Sequence, residues 1–226
     1  MSAPGPGTGP RRGALALYAV CRVIAVGASR LYLPGPVLGR EHLPERGAYV
    51  LAPVHRSYLD WLVVARVTRR RLRYLVKGEV WRWRLLGRFL EALGAFPVRR
   101  DAADREAFNR ALEVLRAGEP LVVFPEGTRR DGPVVGELRD GAAYLALRAD
   151  VPLVPVGVAG AAEAMPRGAR LPRPRRVAIV IAAPIRPDGQ ARGGRVSRSR
   201  THELTAELRR ALQEAFDAAE RVRGGW

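Results

Sequence analysis

Apolar positions recur along this chain in two rhythms. Short continuous runs at residues 48–52, 74–76, 95–98, 121–124, 153–158 and 177–181, each closed by Gly, Pro or charge, predict buried strands. Between them the apolar residues return at helical spacing. From 102 to 117, Phe108, Ala111, Leu112 and Leu115 share one face, with Asp101 as N-cap and Gly118 as the C-terminal stop. Residues 141–149 form a second such stretch. A third, 201–222, carries Leu204, Leu208, Leu212 and Phe216 on one side and reads as a helix closing the core. An earlier helical stretch, 14–33, ends at Pro34-Gly35-Pro36. Strands alternating with helices predict an α/β fold, a single domain with a mixed, largely parallel sheet flanked by helices.

Composition refines the boundaries. Residues 1–12, rich in Pro and Gly, read as a flexible leader, 13–36 as an N-terminal amphipathic helical segment, and 37–226 as the domain. Residues 186–200 read as a basic surface loop. No apolar run reaches the roughly 18 residues that span a bilayer. Arg22 and Arg30 divide the N-terminal stretch, which suits a helix lying in a membrane interface and equally one packed on the domain. The lone Cys21 forms no internal disulfide and fits a reducing, cytosolic setting.

A net charge of +17 calls for anionic partners: nucleic acid, anionic lipid or a phosphate-bearing substrate. Of the 39 cations all but Lys77 are Arg, so a single Arg says little, while Lys77 either marks a need for a compact ammonium or survives by chance. The block Trp81-Arg82-Trp83-Arg84-Leu85-Leu86-Gly87-Arg88-Phe89-Leu90 mixes indoles, cations and apolar residues as a membrane-surface element does, and Arg66 and Arg69 to Arg73 add charge before it. A solvated face with core packing has the same composition. No helix-turn-helix, zinc-finger or aromatic RNA-binding motif is present, so nucleic acid is not an expected partner.

Two polar blocks follow the apolar runs. Val54-His55-Arg56-Ser57-Tyr58-Leu59-Asp60 comes directly after Pro53, and Phe124-Pro125-Glu126-Gly127-Thr128-Arg129 after Leu121-Val122-Val123. On a continuous helix a five-residue offset turns through about 500°, leaving His55 and Asp60 roughly 140° apart. Contact requires His55 in the turn after the strand, its imidazole folded back onto an Asp60 in the next helix. Asp60 then holds one ring nitrogen as a donor and leaves the other to take a proton from a hydroxyl. Two residues that only cap a helix start fit the same spacing. His202 and Glu207 repeat the offset, but within 201–222, where both belong to a solvated helix face. In the second block the Gly127 turn lets backbone N–H groups approach an anion.

With these blocks the sequence resembles the lysophospholipid and glycerolphosphate acyltransferase family from about residue 37 to 184. His55 and Asp60 match its Asn-His-x4-Asp motif, with Val54 in place of the usual Asn. Gly94, Phe96, Val98 and Arg100 match the second motif, Phe124 to Arg129 the third, and Val151-Pro152-Leu153-Val154-Pro155-Val156 the fourth. The resemblance implies that His55, held by Asp60, activates an acceptor hydroxyl for direct attack on an acyl thioester. Acyl-CoA or acyl carrier protein serves as co-substrate, with no cofactor and no metal. Arg100 and Arg129 would hold the acceptor phosphate, with Arg99 as the alternative to Arg100. Glu126, Gly127 and Thr128 would shape that pocket, and Lys77, at a Lys-x-Glu element, would lie near it. The implied acceptor is 1-acylglycerol 3-phosphate, giving phosphatidic acid; glycerol 3-phosphate, another lysophospholipid or a lyso aminolipid are its alternatives within the family. The expected location is peripheral, on the cytoplasmic side of an anionic membrane.

Overall fold

The computed structural model describes residues 12–77, 95–98, 105–169, 171–187 and 196–225. Among them the strands are β1 (Val37–Leu38), β2 (Val50–Pro53), β3 (Arg73–Lys77), β4 (Ala95–Val98), β5 (Leu121–Val122), β6 (Leu153–Ala159) and β7 (Ala178–Ile181). They form one sheet in the order β1-β7-β6-β2-β5-β3-β4. All neighbouring pairs are parallel except β6 with β7, so the sheet is mixed and largely parallel. The helices are α1 (Arg12–Tyr32), α2 (Asp60–Val64), α3 (Arg105–Arg116), α4 (Gly141–Ala149), α5 (Ala161–Ala164) and α6 (Arg198–Gly224). Residues 1–11, most of the leader, and the 81–90 block lie outside the described residues.

The connections fix which face each helix covers. From β2 the chain crosses toward β3, and from β5 it crosses back past β2 to β6. Right-handed crossovers place α2 and α4 on opposite faces. In agreement, α1 packs on α2, while α3, α4 and α6 pack side by side on the other face. Strands covered on both faces are apolar throughout, and all seven residues of β6 are buried.

The long α6 closes the core over β6 and β7, burying Leu204, Leu208, Leu212, Ala215, Phe216 and Ala219. It starts at Arg198, N-capped by the Ser197 side chain, which accepts from the Arg200 N–H. The basic stretch expected as a loop through residue 200 is therefore helical from 198, because a serine cap outweighs the local charge run. The close approach of α6 to β6 depends on Gly157, where a Cβ would lie 2.1 Å from the Ala215 carbonyl oxygen. Backbone cannot yield as a side chain can. Gly157→Ala is expected to cost about 3 kcal/mol, at the upper end for overpacking, measured by chemical denaturation.

Proline placement departs from expectation. Pro53, expected to stop the strand, lies in β2 opposite Val156. The N–H groups of Val50 and Val54 bond to Pro152 and Val156 on the β6 side, so position 53 faces the β5 side, where β5 has ended at Val122. No ladder donor is lost there. The Leu121 to Phe124 run is likewise strand only to Val122, since Phe124 already turns into the site.

α1 buries Val26 and Ser29 toward the domain, and Leu33 just past its end is buried with them. Its other side leaves Val23, Ile24 and Leu31 exposed at 67%, 65% and 85%. No described helix is long and apolar enough to cross a membrane.

Candidate active site

The site lies at the carboxyl ends of the two central parallel strands, β2 and β5, the position where open α/β sheets bind ligands. After β2 the backbone continues one step, with the Val54 N–H donating to the Val156 carbonyl. His55 then sits in the turn and Asp60 opens α2, as the five-residue offset requires. His55 Nδ1 is 2.9 Å from Asp60 Oδ2. The same oxygen accepts the N–H groups of Arg56 at 2.7 Å and Ser57 at 2.8 Å. Asp60 is fully buried, so the carboxylate is fixed by three donors before any substrate arrives. An acceptor at Nδ1 makes that nitrogen the donor and leaves Nε2 with the lone pair. The His55 side chain is 18% exposed, and its ring lies 4.4 Å from that of Phe124, centroid to centroid.

The second block approaches from β5 and grips the first. Glu126, 2% exposed, accepts the His55 backbone N–H at 2.9 Å. It also receives Arg56 Nη1 at 2.8 and 2.7 Å on its two oxygens, and the Gly136 N–H at 3.2 Å. The Arg130 N–H closes the frame by donating to the His55 carbonyl at 2.9 Å. Both backbone groups of His55 are thereby held by residues about seventy positions away. Arg56 is itself buried, donates to the Val134 carbonyl and lies 5.0 Å over the Phe216 ring.

Glu126, expected to shape the phosphate pocket, lies buried beneath His55 with both carboxylate oxygens hydrogen-bonded and its charge balanced by Arg56. Arg56 is the residue that sequence reasoning missed. Its partner is 70 residues distant and follows no periodic pattern; the only available signal was an arginine directly after the histidine.

The rim holds the remaining residues of the second block. The Arg129 guanidinium lies 3.4 Å over the centre of the Tyr58 ring, and no described carboxylate pairs with it. Its carbonyl accepts from Arg167, which is paired with Asp131. Thr128 is exposed. Gly127 has φ +66, and a Cβ there would lie 2.6 Å from Arg139 Nε, so this turn requires glycine. Lys77 ends β3 in register with Val98, its side chain outside the description, and Arg99 and Arg100 lie outside the described residues. His202, the decoy of equal offset, is exposed on α6, 3.2 Å from Asp140.

A histidine held by a buried carboxylate at the carboxyl ends of a largely parallel sheet, beside a glycine turn and an arginine that no described carboxylate pairs, suits an α/β enzyme that takes a proton from a hydroxyl. The profile of the family described as Acyltransferase matches residues 36–159, more than half of the chain, and the protein belongs to that family. A Bacillus subtilis protein named 1-acyl-sn-glycerol-3-phosphate acyltransferase is 27% identical over 150 residues, 66% of this chain and 72% of that protein. A Streptococcus pneumoniae protein of the same name is 31% identical over 114 residues, 50% of this chain but only 42% of its own length. A Pseudomonas aeruginosa lyso-ornithine lipid O-acyltransferase is 33% identical over 96 residues, 42% of this chain and 37% of that protein. In fold, the chain is similar to the Thermotoga maritima 1-acyl-sn-glycerophosphate acyltransferase PlsC, with TM-score 0.73 at 20% identity over 94% of this chain and 85% of that one.

Proposed function

We propose that this enzyme transfers a fatty acyl group from acyl-CoA or acyl carrier protein to the free hydroxyl of 1-acylglycerol 3-phosphate, giving phosphatidic acid. The single observation that carries the reading is the His55–Asp60 contact on a carboxylate pinned by two backbone N–H groups. Nε2 takes the hydroxyl proton as the acceptor oxygen attacks the thioester carbonyl. Asp60 stabilises the imidazolium so formed. The tetrahedral intermediate expels the thiolate, which recovers that proton, and no residue of the chain becomes acylated. Glu126 and Arg56 act beneath, positioning the His55 backbone.

Arg129 supplies a cation for the acceptor phosphate on the rim, with Arg100 and Lys77 as further ligands and Gly127 and Thr128 offering the turn. Arg129→Ala is expected to raise the KM for the phosphorylated acceptor about tenfold or more while leaving that for the thioester near its original value. Equal effects on both would make this side chain structural or donor-facing.

The identity of the reaction is tested with purified protein, each thioester donor and a panel comprising 1-acylglycerol 3-phosphate, glycerol 3-phosphate, other lysophospholipids and a lyso aminolipid, reading product mass. Acylated 1-acylglycerol 3-phosphate is the expected product. Thiol release without an acylated lipid would make the protein a thioesterase.

Its place of work is the cytoplasmic face of an anionic membrane, bound peripherally. The exposed apolar stripe of α1 and the excess of positive charge support this. Binding to vesicles containing phosphatidylglycerol is expected to fall about tenfold from low to high salt and to be weak on neutral vesicles. Salt-independent binding to neutral vesicles would shift the attachment to insertion of α1 alone.

A further inference from the structure

Between α1 and the segments preceding β2 and β3 lies a cleft of about 720 Å³. Arg22 and Arg30 of α1, Arg40 of the 3₁₀ turn Arg40–His42, and Arg66, Arg69 and Arg70 after α2 line it, against one carboxylate, Glu45. Some arginines elsewhere are neutralised by the fold: Arg56, Arg73, Arg167 and Arg223 each meet a carboxylate. None of the six cleft arginines forms an ion pair with a described residue.

Several are instead held in place by carbonyls. Arg22 donates to Thr68, Arg40 to Arg66, Arg66 to Leu33 and Gly35, and Arg70 to Pro44 and Gly118. Carbonyls orient a guanidinium without cancelling its charge. Arg66 is buried with its Nε unpartnered. Burial, reinforced by the charges of Arg30 and Arg40, lowers it to about 10. Like charges gathered around a solvent-filled cavity attract a counter-anion and are relieved by it.

We propose that this cleft seats the phosphate headgroup of an anionic membrane phospholipid, at a site separate from the one at His55. Separation follows from topology. The cleft is walled by residues that precede β2 and β3 and reaches the Gly118 carbonyl before β5, whereas His55 and Phe124 follow β2 and β5. The four residues of β2 alone span roughly 13 Å, beyond the reach of one glycerol phosphate. A lipid fits better than a free phosphate because Val23 is both a lining residue and part of the exposed apolar stripe. Acyl chains can run along α1 from a headgroup held in the cleft, whose volume suits a small ligand. The site rests on the peripheral membrane association proposed above.

The side chains of Arg30 and Arg69 make no hydrogen bond to a described residue, and removing Arg30 relieves repulsion at Arg66. Arg30→Gln/Arg69→Gln should therefore fold with an undiminished Tm. The test titrates full-length protein with monomeric dihexanoyl phosphatidylglycerol, below its micelle concentration, following Tm and binding heat. Wild type is expected to bind one lipid and gain several degrees in Tm. The double variant should bind at least tenfold more weakly with its acyl transfer to a soluble acceptor unchanged. No binding by wild type, or equal binding by both proteins, overturns the site. Inorganic phosphate giving the same gain at the same concentration overturns the lipid assignment. Vesicle flotation is read separately: monomer binding without flotation supports the cleft and refutes the membrane reading, and acyl-transfer activity is scored independently of both.

Discussion

Replacing His55 with alanine is expected to lower kcat by about 10²- to 10⁴-fold, the usual loss when a general base is removed, with the circular dichroism and Tm of the parent retained. The ring is partly exposed and packs on Phe124, so its loss opens little of the core. Asp60→Asn should cost less. An amide oxygen still accepts from the Arg56 and Ser57 N–H groups, but it stabilises an imidazolium less well than a carboxylate does. His202→Ala should be silent, since that ring stands exposed on α6. Near-normal turnover by His55→Ala would refute general-base attack.

The largest effect on stability is expected at the buried pair beneath the site. Arg56→Ala leaves Glu126 without its cation, and Glu126→Ala leaves Arg56 charged and enclosed. Each should lose about 3–5 kcal/mol, the range for breaking one side of a buried pair, against a typical total of about 5–15 kcal/mol. Urea denaturation of the single variants and of Arg56→Met/Glu126→Leu checks the mechanism. The double variant should recover much of the stability, because no unpaired charge remains. It should not recover activity, because the His55 N–H has lost its acceptor. A double variant that restores turnover would make the pair a packing element with no part in positioning His55.

Local patterns made the alternation of strands and helices legible, and with it the fold class. The dyad was legible because a five-residue offset excludes a helix and demands a turn, and the turn was found. What failed depended on partners distant in sequence. Pro53 reads as a strand breaker until the neighbouring strand is known to end at Val122. Val37 and Leu38 are too few to signal a strand, and they become one by pairing with Ile179 and Val180. Glu126 looks like a pocket residue in its motif, and only the fold shows Arg56 lying on it. The exposed apolar face of α1 was half legible: its apolar residues are plain, but which of them the domain covers is set by packing on α2.

The frame around His55 also sets when the site can exist during synthesis. The His55 backbone is held by Glu126 and Arg130, and the strand leading into it is fixed by Val156. At about 5–20 residues per second, a ribosome that has made residue 55 needs roughly 5–20 s more to supply residue 156. Until then the nascent chain has its histidine and its aspartate without the distant groups that hold the His55 backbone. Catalytic competence should thus appear abruptly, with the pairing of the central strands, and a chain stalled before that point should release no thiol from a thioester.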